Sequence, residues 1–183
     1  MTNLAFREIL TLGNPILRKK SEEVDLKRVK KRNFQKLLMD MFNTMKENSG
    51  AGLSAPQIGI SLKFFVMGFD DSERYPDEKP LKKQVIINPE IKFLTEETMD
   101  FWEGCLSIPK MQGLVRRPKE IEVSYYDENL EHHKKIIIGF EAIVFQHEFD
   151  HLDGILYIDR LVSTKQFGYN DNFKETEVLS STG

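Results

Sequence analysis

His147 and His151 bracket Glu148, Phe149 and Asp150 in an HExxH pentapeptide. On a helix, successive residues turn by about 100°, so the two histidines stack one turn apart and can grip one cation together. Glu148 lies beside them and can reach a water at that cation without being a ligand. The chemistry on offer is metal-assisted hydrolysis with a carboxylate as proton carrier. The bland alternative is a surface helix that happens to carry two of the chain's four histidines.

A catalytic site of this kind needs a third protein donor. One class of HExxH proteases continues as HxxGxxH, and the chain keeps that spacing to Gly154 before Tyr157 breaks it. Another uses a downstream glutamate, for which Glu175 and Glu177 are available in the polar tail. A further donor lies upstream, in Glu103-Gly104-Cys105-Leu106-Ser107, just after Phe101-Trp102. A thiolate suits a borderline-soft divalent ion, although a lone cysteine also reads as a small buried hydrophobe. The segment Gly50-Ala51-Gly52-Leu53-Ser54-Ala55-Pro56-Gln57 adds glycines that allow close backbone approach and, in Gln57, an amide donor. Alone it would pass as a turn, and it lacks the lysine and spacing of a phosphate loop.

Two helices and several strands must position these groups. Phe34, Leu37, Leu38, Met41, Phe42 and Met45 recur at three- and four-residue spacing, which predicts an amphipathic helix within residues 28–49, capped by Gly50. Lys27-Arg28 and Lys30-Lys31-Arg32 open it and read as a solvated face, with RNA contact the alternative. Short β-rich runs at 64–67, 84–87, 121–126 and 135–138 predict a largely antiparallel sheet. A second helix over 139–153 is apolar nearly all round and therefore buried, which takes His147, Glu148 and His151 inside and demands partners for them. The fold expected is α+β, with antiparallel sheets packed around that central helix. The stretch from Ser163 reads as a peripheral loop or tail.

A chain of 183 residues, 40% hydrophobic and 30% charged, is expected to form one domain. Its net charge of -3 gives no general attraction to DNA or to an anionic membrane. One cysteine excludes an internal disulfide framework and fits a reducing compartment. With no signal peptide or membrane-spanning run, a cytoplasmic protein is expected.

Taken in order, GAGLSAPQ at 50–57, EGCLS at 103–107 and QHEFDHLDG at 146–154 resemble the three signature motifs of the peptide deformylases. Leu12-Gly13-Asn14-Pro15-Ile16-Leu17-Arg18 is similar to the family as well, so the likeness spans residues 8–167. The resemblance implies a deformylase catalytic domain over 1–167, with 168–183 a polar tail. It implies a metallohydrolase of protein biosynthesis that removes the formyl group from the N-terminal formyl-methionine of nascent polypeptides and releases formate. Cys105, His147 and His151 would hold one divalent ion, with Fe2+ the common physiological choice and Zn2+, Ni2+ or Co2+ compatible. Glu148 would carry the proton, while the Gln57 amide and the Leu106 N–H would hold the oxyanion. Gly50, Ala51 and Gly52 would pair with the extended substrate as an added strand. Ile143 and Val144, one turn before His147, are candidates for the methionine pocket. Glu103 and Arg117 are expected to form a partly buried ion pair bracing the cysteine loop.

The chain departs from the family in places. Ala51 stands where a larger aliphatic residue is usual and widens the pocket; Lys110 stands where glycine is common, and Gln112 where arginine is common. The tail lacks the long basic helix that some members use at the ribosome, leaving only transient ribosome contact as an expectation. Three rival readings of the same residues are a cysteine hydrolase with Cys105 as nucleophile, an HExxH metallopeptidase of broader specificity, and a degenerate metal-binding module. The last is disfavoured by the presence of Glu148, Gln57 and all three ligands.

Overall fold

The computed structural model describes residues 6–70 and 78–173. Helix α1 (Arg32–Glu47) buries Phe34, Leu38, Met41 and Met45, the stripe its spacing predicts. Its C-terminal cap differs from expectation. The helix ends at Asn48, and Ser49, not Gly50, takes the left-handed conformation, with φ 52°. Gly50 serves another purpose, because a Cβ there would lie 3.0 Å from Cδ1 of Leu106.

Strands β1 (Gly52–Ser54), β2 (Phe64–Phe69) and β3 (Leu81–Phe93) follow. The chain continues into β4 (Thr98–Cys105), β5 (Ile108–Pro118), β6 (Glu120–Tyr126) and β7 (His132–Ile138). They build two antiparallel sheets, one of five strands in the order β1-β2-β3-β6-β7 and one of three that adds β8 (Phe167–Tyr169) in the order β4-β5-β8. Helix α2 (Gly139–Leu152) carries the HExxH residues.

Strand β2 shows how the layers join. Its side chains alternate between two cores: Phe64 and Val66 pack with Phe34, Leu38 and Met41 of α1, while Phe65, Met67 and Phe69 pack with Val144 and Phe145 of α2. A strand buried on both faces reads as a continuous apolar run, which is why FFVMGF is legible in the sequence. The five-stranded sheet thus lies between the two helices. The far side of α2 meets the smaller sheet, where Gln146 Nε2 donates to the Pro118 carbonyl at 3.1 Å.

The α+β architecture around a buried HExxH helix is as expected. The smaller sheet is the part the sequence reading does not anticipate. The stretch from Ser163, read as a loop, instead forms a 3-10 turn (Thr164–Gln166), strand β8 and a second 3-10 turn (Asn170–Phe173). Phe173 packs on Trp102 with ring centroids 4.7 Å apart. Glu175 and Glu177 lie outside the described residues. No helix among the described residues is long and apolar enough to cross a membrane.

Candidate metal centre

The three donors come from two layers. Helix α2 supplies His147 and His151, one turn apart, with ring centroids 5.1 Å apart in an edge-to-face arrangement. The end of β4 supplies Cys105, beside a shift in the register with β5 between Gly104 and Cys105. One ligand atom of each lies within 4.8 Å of the others. Sγ of Cys105 is 3.3 Å from Nε2 of His151.

The Cys105 thiol and the His147 imidazole stabilise each other's charged forms. Burial would push the Cys105 thiol up, but the two imidazoles hold it well below its ordinary value, as a thiolate. Burial would likewise push His147 down, yet Cys105 and Glu103 raise it well above the usual range. A soft thiolate beside two imidazoles is a donor set for a borderline divalent ion. Nδ1 of His147 meets Oε2 of Glu103 at 2.8 Å, which leaves Nε2 as the nitrogen on the Cys105 side; this is the carboxylate–histidine arrangement typical of metal ligands. Nδ1 of His151 is buried without a hydrogen-bond partner among the described residues.

Glu103 is itself clamped. Arg117 donates from Nε to Oε1 at 2.5 Å and from Nη2 to Oε2 at 2.9 Å, and both side chains are 3% exposed. Burial would raise the Glu103 carboxyl, but Arg117 and His147 outweigh it and hold it at about 2. The expected ion pair is therefore present, and more deeply buried than the sequence suggests. It also extends further: Arg117 Nη1 reaches Asp150 Oδ2 at 2.8 Å, and Arg160 grips both Asp150 oxygens at 2.6 Å. Asp150 sits inside the HExxH pentapeptide on a buried helix, and its charge was the available signal for a cationic partner. Arg160 has no sequence signature of its own.

Glu148 is 4% exposed and faces the same space. Burial, the largest influence, raises its carboxyl above the ordinary range against the lowering pull of the histidines and Ser54. Gln57 arrives on a 3-10 turn (Ala55–Ile58) after β1. Its Oε1 accepts the Ser54 N–H at 2.8 Å, so Nε2 is turned toward Cys105 Sγ, 3.4 Å away, and Ser107 Oγ, 3.2 Å away.

Gly50, Ala51, Gly52, Gln57, Cys105 and Leu106 line one pocket together with Ile143, Val144, His147 and Glu148. His151 lies beneath it, 1% exposed. Phe101 and Phe140 also line this pocket, with ring centroids 5.4 Å apart, and were not singled out from sequence. The inward placement of Phe101 follows from β4 alternation, which sends Phe101, Glu103 and Cys105 to one face and Trp102 to the other, while Phe140 stands in the first turn of α2. The arrangement combines a soft metal cradle, a buried carboxyl, an aimed amide and an apolar wall, which suits metal-assisted cleavage of an amide next to an apolar side chain.

The polypeptide deformylase family matches residues 6–167 of the chain. A peptide deformylase of Leptospira biflexa is 52% identical over 170 residues, covering 92% of this chain and 95% of that one. Peptide deformylase 1 of Nitrosomonas europaea is 42% identical over 165 residues, covering 90% and 93%. Among solved structures, a class I type b peptide deformylase from Acinetobacter baumannii with Met-Ala-Ser bound superposes with a TM-score of 0.83 at 32% identity, covering 86% of this chain and 99% of that one. The peptide deformylase of Thermotoga maritima superposes with a TM-score of 0.74 at 39% identity, with the same coverage.

Proposed function

The chain belongs to the polypeptide deformylase family, a metal-dependent hydrolase that removes the formyl group from the N-terminal formyl-methionine of newly made polypeptides, and on that premise we propose which of its residues perform the reaction. Neither the relatives nor the site favours a broader HExxH peptidase.

We infer that Cys105, His147 and His151 hold the ion, leaving an open side toward the pocket as catalytic sites require. The observation that carries this is the convergence of three buried donors within 4.8 Å beside Glu148. When bound, the ion polarises the formyl carbonyl and makes a water acidic enough to attack it. Glu148 takes the proton of the attacking water and delivers it to the departing amine. A carboxyl raised by burial is better matched to both jobs than an exposed one. The Gln57 amide, oriented by the Ser54 N–H, and the Leu106 N–H hold the charge that develops on the formyl oxygen. Losing one such donor typically costs about 2.7–4 kcal/mol of barrier.

Met-Ala-Ser is bound by the Acinetobacter relative. We propose that the substrate here is also an extended N-terminus, pairing with the backbone at Gly50, Ala51 and Gly52, because among the described residues β1 has a ladder partner on one side only, β2. Ile143, Val144, Phe101 and Phe140 form the apolar wall for methionine. Fe2+ is the proposed native ion, with Zn2+, Ni2+ or Co2+ able to replace it in this donor set. The catalytic unit is taken as 1–167, with β8 and Phe173 packed onto it and the rest of the polar 168–183 stretch a tail, working in the cytoplasm, where an unpaired cysteine is at home, with transient ribosome contact. Anaerobic purification, metal analysis and formate release from formyl-Met peptides test the reading, with Glu148→Ala as control. Activity that survives in Glu148→Ala overturns it.

A further inference from the structure

Residues two apart on a strand share a face, and on β1 positions 52 and 54 both meet the Glu148 carboxyl. At Gly52 a Cβ would lie 2.6 Å from Cδ of Glu148, so the missing side chain is the room the carboxyl occupies. Ser54, which is 0% exposed, places Oγ 2.5 Å from Oε2 of Glu148 and 2.9 Å from the main-chain oxygen of the same residue. Leu53 points the other way, into the core under α1.

We propose that Ser54 is a positioning residue that holds Glu148 at the reacting group through both proton transfers, an inference that rests on Glu148 being the proton carrier. A hydroxyl has one hydrogen and two lone pairs. Toward the charged carboxylate, Ser54 donates. Once the other oxygen, Oε1, has taken a proton from the attacking water, Oε2 becomes the carbonyl oxygen of the acid and still accepts from Ser54. The heavy atoms need not move between the two steps, so the carboxyl is in place to return the proton to the amine. A glutamate otherwise has several rotamers to lose before reaching this geometry.

Ser54→Ala keeps a small side chain and removes the hydroxyl. In the metal-loaded enzyme the expected result is kcat lower by about ten-fold, with KM and bound metal unchanged. Ser54→Cys, which retains a weak donor, recovers part of that loss. The second readout needs no turnover: in metal-free protein, the infrared carboxylate band assigned to Glu148 by its absence in Glu148→Gln shifts in Ser54→Ala. If Ser54→Ala does not fold, Ser54→Cys carries both measurements. Unchanged kcat with an unshifted band overturns the proposal, as does a loss confined to KM or to metal content. Full activity in Glu148→Gln would overturn the reading of Glu148 itself, whereas an inactive Glu148→Gln beside a parent-like Ser54→Ala would overturn only the role of Ser54.

Discussion

Arg117 and Glu103 meet through two parallel bonds in a place where each is 3% exposed, and the oxygen that Arg117 Nη2 holds is the one that orients His147. Breaking one partner of a buried pair is far more costly than the pair itself is favourable. Glu103→Gln is therefore expected to lower stability by about 3 kcal/mol, read by thermal unfolding. It should also weaken metal retention roughly ten-fold or more, read by competition with a chelator. Unchanged values for both would show that the pair does not brace the cysteine loop.

Chelation should abolish activity and lower the melting temperature, since an ion that binds only the folded chain stabilises it. Cys105→Ala should lose the ion itself, measured by metal analysis of the purified protein. A cysteine hydrolase would behave oppositely, remaining active without metal.

Lys110 sits in β5 with φ 65° and is exposed. A side chain in the left-handed region costs about 1–2 kcal/mol, and glycine removes most of that. Lys110→Gly is expected to raise the melting temperature by roughly 2–4 °C, while Lys110→Ala leaves it unchanged. The comparison separates backbone strain from loss of the charge.

Asp40 on α1 is buried and accepts from Arg7 Nη2 at 2.7 Å and from Lys36 Nζ at 3.1 Å. Burial would raise its carboxyl, but the Lys36 and Arg7 bonds hold it below the ordinary range. A value lowered in the folded state gives stabilisation that is complete above the unfolded value of about 3.9 and is lost as the pH falls through the folded one. The stability gap between the parent and Asp40→Asn, from denaturant unfolding, should be constant near neutrality and close below about pH 4.

The HExxH helix was legible because its periodicity, its apolar faces and its ligand spacing agree. Strand β2 was legible because both its faces are buried, as FFVMGF shows, and β6 because its buried and part-exposed residues alternate. Strands β4 and β5 were not, since they carry Glu103 and Arg117 inward, and Pro109, Gly113 and Pro118 interrupt β5. Inward charges look like surface residues until their partners are known, and those partners are distant in sequence. Ser54 was equally silent, because a serine in a run of small residues has no pattern to break. Gly50 was misread for the opposite reason: its position fits a helix cap, but the space it leaves is needed by Leu106.

The two ends of the five-stranded sheet face the same hazard, since an unpaired strand edge can template aggregation. Strand β7 carries exposed Ile136 and Ile138, at 57% and 66%, and is guarded by Lys134 and Lys135 beside them. Strand β1 cannot be guarded with charge, because a bulky cation there would block the pocket. It is protected by brevity instead: three residues are enough to receive the start of a peptide, and too few to recruit a neighbouring molecule into a growing sheet.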